Sequence, residues 1–277
     1  MYPTCSYLVC ATPRSGSTLL CEALANTGIA GNPKEYFEAL RTTGQPRRPR
    51  EYFTTVDNPE IAELLGDFSR LDDISTTPTS QGTNTFEHYL TEVLAEGTTS
   101  NGVFGAKIMW GYFDDFISNL RDIPSCKELP TPTLLAAVFP NLHYIWVTRD
   151  DKLRQAISLW KAIQTWTWRE DESSTPAGQP EHPKKELHFH FEAIDHLRQQ
   201  IVENEQAWQD YFDAAAIEPF KITYEELVEH YEVTAMQILK YLHVPILEYI
   251  TFAERRMKRQ DDALSEEWAA RYHRLKH

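Results

Sequence analysis

The run that most restricts what this chain can become is residues 7–24, YLVCATPRSGSTLLCEAL. Its first five residues are apolar and suit a buried strand. Its last six, followed by a stop at Gly28, suit a helix closed by a glycine cap. Between them lies a turn of Pro13, Arg14, Ser15, Gly16, Ser17 and Thr18. A strand feeding a helix through a small, hydroxyl-rich turn offers an anion the partnerless N–H groups and partial positive charge of a helix start. Gly16 admits close backbone approach. Ser15, Ser17 and Thr18 add donors, and Arg14 adds a fixed charge. The turn is not a Walker A loop: Ser17 follows Gly16, Ala11 stands at the earlier glycine position, and no GxGxxG occurs. An ordinary strand–turn–helix with a polar turn has the same local pattern, so the rest of the chain must arbitrate.

The formal net charge of −14 argues against nucleic acid or an anionic membrane as partner. It also means that local cations must hold any polyanionic ligand. A 42% hydrophobic and 12% aromatic composition over 277 residues supports a sizeable core and argues against disorder. Cys5, Cys10, Cys21 and Cys126 have neither CxxC nor zinc spacing, which suits a reducing compartment. No basic-then-apolar leader opens the chain, and no run of about 18 apolar residues occurs. The expectation is a cytoplasmic protein without stable membrane insertion.

Along the chain, residues 28–41 read as a helix start: Asn32 suits a cap, Pro33 the first turn, and Glu35 the reciprocal place of a capping box. Residues 41–50 are basic and irregular. Helices are expected over 57–68 and 85–95. Residues 102–110 read as a buried strand interrupted by Lys107, a costly residue there unless it is paired or aimed at an anion. A third strand over 142–148 ends at Arg149, at the strand edge where ligands bind in open α/β sheets. The helix after it carries Trp160, Gln164 and Trp168 on one face, a stripe that reads first as core or subunit contact. A long helix is expected from residue 186 or so to Phe212, where His188 and His190 diverge too far to share a metal. FKITYEEL, residues 220–227, gives a last strand entering a helix, and a terminal helix follows the basic run RRMKRQ. These elements amount to an α/β fold, a P-loop-like central parallel sheet flanked by helices, as a single domain over residues 1–277 with mobile loops near 69–84 and 170–185.

Three features together, strand–TPRSGST–helix, strand–Arg149 with Ser158 on the next helix, and TYEEL late in the chain, resemble the sulfotransferases that use 3′-phosphoadenosine 5′-phosphosulfate (PAPS). The likeness is greatest to the bacterial carbohydrate branch typified by trehalose 2-sulfotransferase. GNPKEYFE, NGVFGAKIMW, ISLWKAIQTWTWR and RQDDALSEEW extend it over residues 7–272. The resemblance implies the sulfotransferase fold, PAPS as co-substrate, and PAP as product. It implies that Arg14, Ser15, Gly16, Ser17 and Thr18 hold the 5′-phosphosulfate, that Arg149 and Ser158 hold the 3′-phosphate, and that Arg259 and Gln260 close over the nucleotide. Cytosolic relatives carry a catalytic histidine two residues after a strand lysine. The matching residue after Lys107 is Met109, and in the trehalose-type branch the base is a glutamate that matches Glu35. The acceptor would be a sugar or glycolipid hydroxyl, and a homodimer is suggested.

The residue types agree with that chemistry. Sulfuryl transfer is an in-line displacement with a loose transition state, governed by positioning and electrostatics. The sulfuryl group carries less charge than a terminal phosphoryl, so Arg14 and Lys107 are expected to suffice as charge stabilisers, with no metal, while Glu35 takes the acceptor's proton. The cap and the base remain competing roles for Glu35. An ATP-dependent kinase-like phosphotransferase and a non-catalytic nucleotide-binding protein of the same fold are the alternatives.

Overall fold

The computed structural model describes residues 2–66, 85–165, 186–246, 250, 252 and 263–276. Its contacts divide the chain into two compact units. The first comprises Met1–Pro46, Pro78–Asp150 and Glu203–Ala253, and the second Arg47–Thr77, Asp151–Val202 and Glu254–His277.

The first unit is built on a four-stranded, all-parallel sheet. β1 (Cys5–Ala11), β2 (Val103–Met109), β3 (Leu142–Thr148) and β4 (Phe220–Thr223) stand in the order β2-β1-β3-β4. β1 is buried along six of its seven residues, as expected of a strand covered on both faces. α1 (Ser17–Asn26) follows β1 and ends where Gly28 turns left-handed. α2 (Pro59–Leu65) belongs to the second unit. α3 (Phe86–Gly97), capped by the Thr85 hydroxyl, precedes β2. α4 (Trp110–Arg121) follows β2 directly, and α5 (Thr131–Val138) leads into β3. After β4 come α8 (Tyr224–Glu229) and α9 (Tyr231–Tyr241). Phe104, Phe116, Phe139, Trp146, Trp208 and Phe212 form the core against the sheet. Within it the Trp208 indole donates to the carbonyl of Ala11, the last residue of β1, at 3.0 Å.

In the second unit, α6 (Lys152–Thr165), the first half of α7 (Phe191–Ala214) and α10 (Ala263–Lys276) pack around Trp160, Ile163, Ile194, Leu197 and Trp268. Trp160 is fully buried and Gln164 nearly so, which makes their face core, as the stripe suggests. Trp168 and both loops, 69–84 and 170–185, lie outside the described residues.

Three expectations need correction. The helix expected within residues 28–41 does not form: these backbone groups are drawn to the edge of β2 instead. Asn32 N–H donates to the Gly97 carbonyl, Lys107 N–H donates to the Lys34 carbonyl, both at 2.9 Å, and Lys34 bridges Ala106 in parallel. Gly31, at φ 74°, makes this approach feasible, since a Cβ there would stand 2.7 Å from the Gly105 nitrogen. Secondly, α7 starts only at Phe191. The backbone of His188 is held out of the helix by α6: its carbonyl accepts from the Trp160 indole at 2.8 Å and from the Gln164 amide at 3.1 Å, and its N–H donates to Gln164 at 2.8 Å. Thirdly, the strand expected over residues 102–110 ends at Met109, because Trp110 already begins α4, which continues straight from β2.

α7 and α10 are joined by a polar cluster. Burial pushes the Asp195 carboxyl up. The donors around it outweigh this and hold it below its usual value: the Tyr272 hydroxyl, Arg198 Nε at 3.2 Å and the Gln199 amide at 2.6 Å. A carboxyl with a depressed folded-state pKa contributes stability above its unfolded pKa of about 4 and loses it as pH falls through the folded value. Asp195→Asn should therefore cost about 1–3 kcal/mol at neutral pH, and this difference from wild type should shrink in denaturant titrations as pH is lowered below about 4.

Candidate active site

β1 and β3 are neighbours whose connections run to opposite ends of the sheet, β1 to β2 on one side and β3 to β4 on the other. Such a switch point opens a crevice beyond the carboxyl ends of the strands. The residues singled out in the first unit gather at this edge. The turn 12–18 leaves β1 there, Arg149 directly follows the last residue of β3, and Tyr224 directly follows that of β4. Lys107 stands two residues inside the end of β2, opposite Val9.

The turn has the shape its composition implies. Arg14 and Gly16 both take positive φ, 62° and 88°, and Gly16 starts α1 with no side chain capping it. Alternating left-handed residues turn successive N–H groups toward one concave side, and the first N–H groups of the helix add to them. Ser15 and Ser17 are buried, and the Ser15 hydroxyl is enclosed without a hydrogen-bond partner among the described residues. A buried hydroxyl without a partner costs about 1–3 kcal/mol. An anion seated on the turn would remove that cost, so the cradle and its donors fit a phosphate or sulfate group.

Lys107 is 3% exposed, and its charge is met on two sides. Its ammonium lies 3.0 Å from Glu35 Oε1 and donates at 2.8 Å to the hydroxyl of Thr18 in the turn. The Glu35 side chain remains 20% exposed, so it is held by the lysine while still facing solvent. Residues 33–41 form no helix, so the capping box expected of Glu35 is not formed. Its segment reaches β2 through Lys34, and that register brings its carboxylate to Lys107.

Arg149 is nearly buried, and its guanidinium lies over the ring of Tyr224, 4.6 Å from the centroid. The same ring also packs against the turn, where a Cβ added at Gly16 would stand 2.5 Å from Tyr224 Cδ2. Arg149 and the turn therefore share one ring. TYEEL was visible as a motif, yet nothing in the sequence gave Tyr224 contact with both. Ser158 lies on α6 in the second unit, half-buried. Arg259 and Gln260 lie outside the described residues. Among the described residues no cluster of three or more His, Cys, Asp or Glu side chains is arranged to hold a metal, and no helix is long and apolar enough to cross a membrane.

Residues 6–275 match the family model described as Stf0 sulphotransferase. Trehalose 2-sulfotransferase of Mycobacterium tuberculosis is 33% identical over 276 residues, covering 96% of this chain and 93% of that protein. Trehalose 2-sulfotransferase of Mycolicibacterium smegmatis is 31% identical over 286 residues, covering 99% and 96%. Among solved structures, the sulfotransferase domain of the Synechococcus PCC 7002 olefin synthase aligns over 97% of this chain and 88% of its own, at 16% identity and a TM-score of 0.41, too slight a likeness to build on.

Gly16→Ala should destabilise the protein by about 1–3 kcal/mol, because an L-residue is strained at that φ and its Cβ would meet the Tyr224 ring. Urea denaturation reads this, and an unchanged midpoint would mean that the turn does not hold the left-handed conformation.

Proposed function

The chain belongs to the Stf0 sulphotransferase family, and on that premise we propose that it moves the sulfuryl group of PAPS to a hydroxyl of a carbohydrate or glycolipid, with Glu35 as general base. The observation that carries this reading is the single ammonium of Lys107 touching both the phosphate-shaped turn, at Thr18, and Glu35. A proton acceptor and an anion cradle are thereby set on either side of one positive charge.

PAPS supplies an activated sulfuryl group on a good leaving phosphate. The residues that would hold it are Arg14, Ser15, Gly16, Ser17 and Thr18 at the 5′ end, and Arg149 with Ser158 at the 3′-phosphate. Arg259 and Gln260 are proposed from the family resemblance to cover the nucleotide. In the transfer, the acceptor oxygen bonds to sulfur while the bond from sulfur to the 5′-phosphate oxygen breaks. That oxygen keeps the electron pair, and the hydroxyl proton passes to Glu35. The turn's N–H groups, Arg14 and Lys107 face the oxygens where negative charge builds, the arrangement that lowers such barriers most. Fixed cations take up this charge, so the reaction is proposed to run without a metal. Trehalose, which gives both relatives their name, is the first acceptor to test. A cytoplasmic location, on the cysteine usage, and a homodimer, on the family resemblance, accompany the reading.

Incubation with labelled PAPS and a carbohydrate panel, with mass spectrometry of the products, should show a sulfated sugar and PAP. Transfer that requires ATP in place of PAPS would overturn the reading. Glu35→Gln should lower kcat by about 10²–10⁴-fold and leave PAP affinity within about threefold, since the amide still offers Lys107 an oxygen. Full activity in that variant would remove Glu35 from the role of base.

A further inference from the structure

The TYEEL segment has no part in the chemistry above, yet it is held more firmly than a simple strand-to-helix corner requires. Thr223 and Glu226 form a reciprocal capping box: the Glu226 carboxylate accepts from the Thr223 N–H at 3.1 Å and hydroxyl at 3.0 Å, and the Glu226 N–H donates to the Thr223 hydroxyl at 3.2 Å. This fixes the first turn of α8 and with it the direction of Tyr224. The next residue, Glu225, accepts from the backbone N–H of Asp150 at 3.1 Å. Asp150 directly follows Arg149, whose guanidinium lies on the Tyr224 ring. Two consecutive residues of one corner therefore grip two consecutive residues of another, one through a ring face and one through a carboxylate. The same ring also abuts Gly16.

We infer that this corner is a positioning element that fixes the spacing between the two anion pockets, and that it thereby makes the site select a nucleotide bearing a 3′-phosphate. The inference rests on the reading of the turn and Arg149 as the 5′ and 3′ pockets. A guanidinium held over an aromatic ring is attracted by the ring face, and the ring does not compete for its in-plane N–H donors. Holding it there before the ligand arrives removes the ordering cost that a freely rotating arginine would incur on binding. The ring also links the two pockets, because the guanidinium and the backbone at Gly16 both pack against it. A 5′-phosphate on the turn and a 3′-phosphate on Arg149 are then read together, whereas a nucleotide with a free 3′-hydroxyl engages the turn alone.

The test compares PAP with AMP, which differ only by the 3′-phosphate, by isothermal titration on the full-length protein. Wild type should prefer PAP. Tyr224→Leu should weaken PAP by about 3- to 30-fold while AMP changes by less than about twofold, so that the preference collapses. Tyr224→Phe, which keeps the ring, should retain the wild-type preference to within about twofold. Should Tyr224→Leu fail to fold, Glu225→Ala at an exposed position reads the same quantity: release of the Asp150 amide should weaken PAP more than AMP. An unchanged PAP-to-AMP ratio in the variant measured overturns the inference, as does equal weakening of both ligands, which would mark a merely structural residue. Failure of wild type to bind PAP at all would instead overturn the proposed function, and this inference with it.

Discussion

One buried ammonium does most to tie this protein together. A lysine inside a parallel sheet carries a desolvation cost of several kcal/mol unless opposite charge and hydrogen bonds meet it. Lys107 is met by the Glu35 carboxylate and the Thr18 hydroxyl, both of which come from segments far from it in the chain. Removing the carboxylate would strand a charge, and removing the hydroxyl would cost it a hydrogen bond. The requirement to satisfy Lys107 thus draws together the start of α1, the end of β2 and the segment around residue 35. In the proposed chemistry the same requirement sets the proton acceptor beside the leaving phosphate, so a need of the fold and a need of the reaction are met by one contact.

The remaining groups are assembled by topology. Parallel strands send their carboxyl ends to one edge, so residues as distant as Arg14, Lys107, Arg149 and Tyr224 are delivered to it without any long-range recognition between their segments. The net charge of −14 makes their concentration there more telling. In an acidic protein, cations gathered at one crevice provide the local positive field that the proposed polyanionic co-substrate would need.

Much of this was legible in the sequence, because the strands are short apolar runs and the turn between β1 and α1 consists of residues with few other uses. β3 occupies residues 142–148 as its pattern implies, and Lys107 was conspicuous as a charge in an apolar strand. The segment around Glu35 was not legible. Asn32, Pro33 and Glu35 form a good local helix signal, and it is overridden by hydrogen bonds to Gly97 and Lys107 that no local pattern encodes. The start of α7 was misplaced for a related reason: Gln164 and Trp160, one helix away, fix the backbone of His188. Tyr224 was passed over because an aromatic at a strand end is ordinary, and its meaning depends on two partners more than 70 residues distant in the chain.

The segment at residues 31–35 also bears on how the protein behaves in a crowded solution. β2 is a border strand of the sheet, and its outer rim would otherwise offer unpaired N–H and C=O groups to any passing chain. Lys34 and Thr98 occupy that rim as single bridges. At the opposite border β4 is only four residues long, and its Lys221 lies over Trp146, 4.1 Å from the centroid of one of its rings, leaving little template for a foreign strand. The stretch that carries Glu35 to its lysine is thus also a cover against edge-to-edge aggregation. Sequence drift that loosened it would be opposed by lost solubility and, under the proposed mechanism, by lost turnover as well.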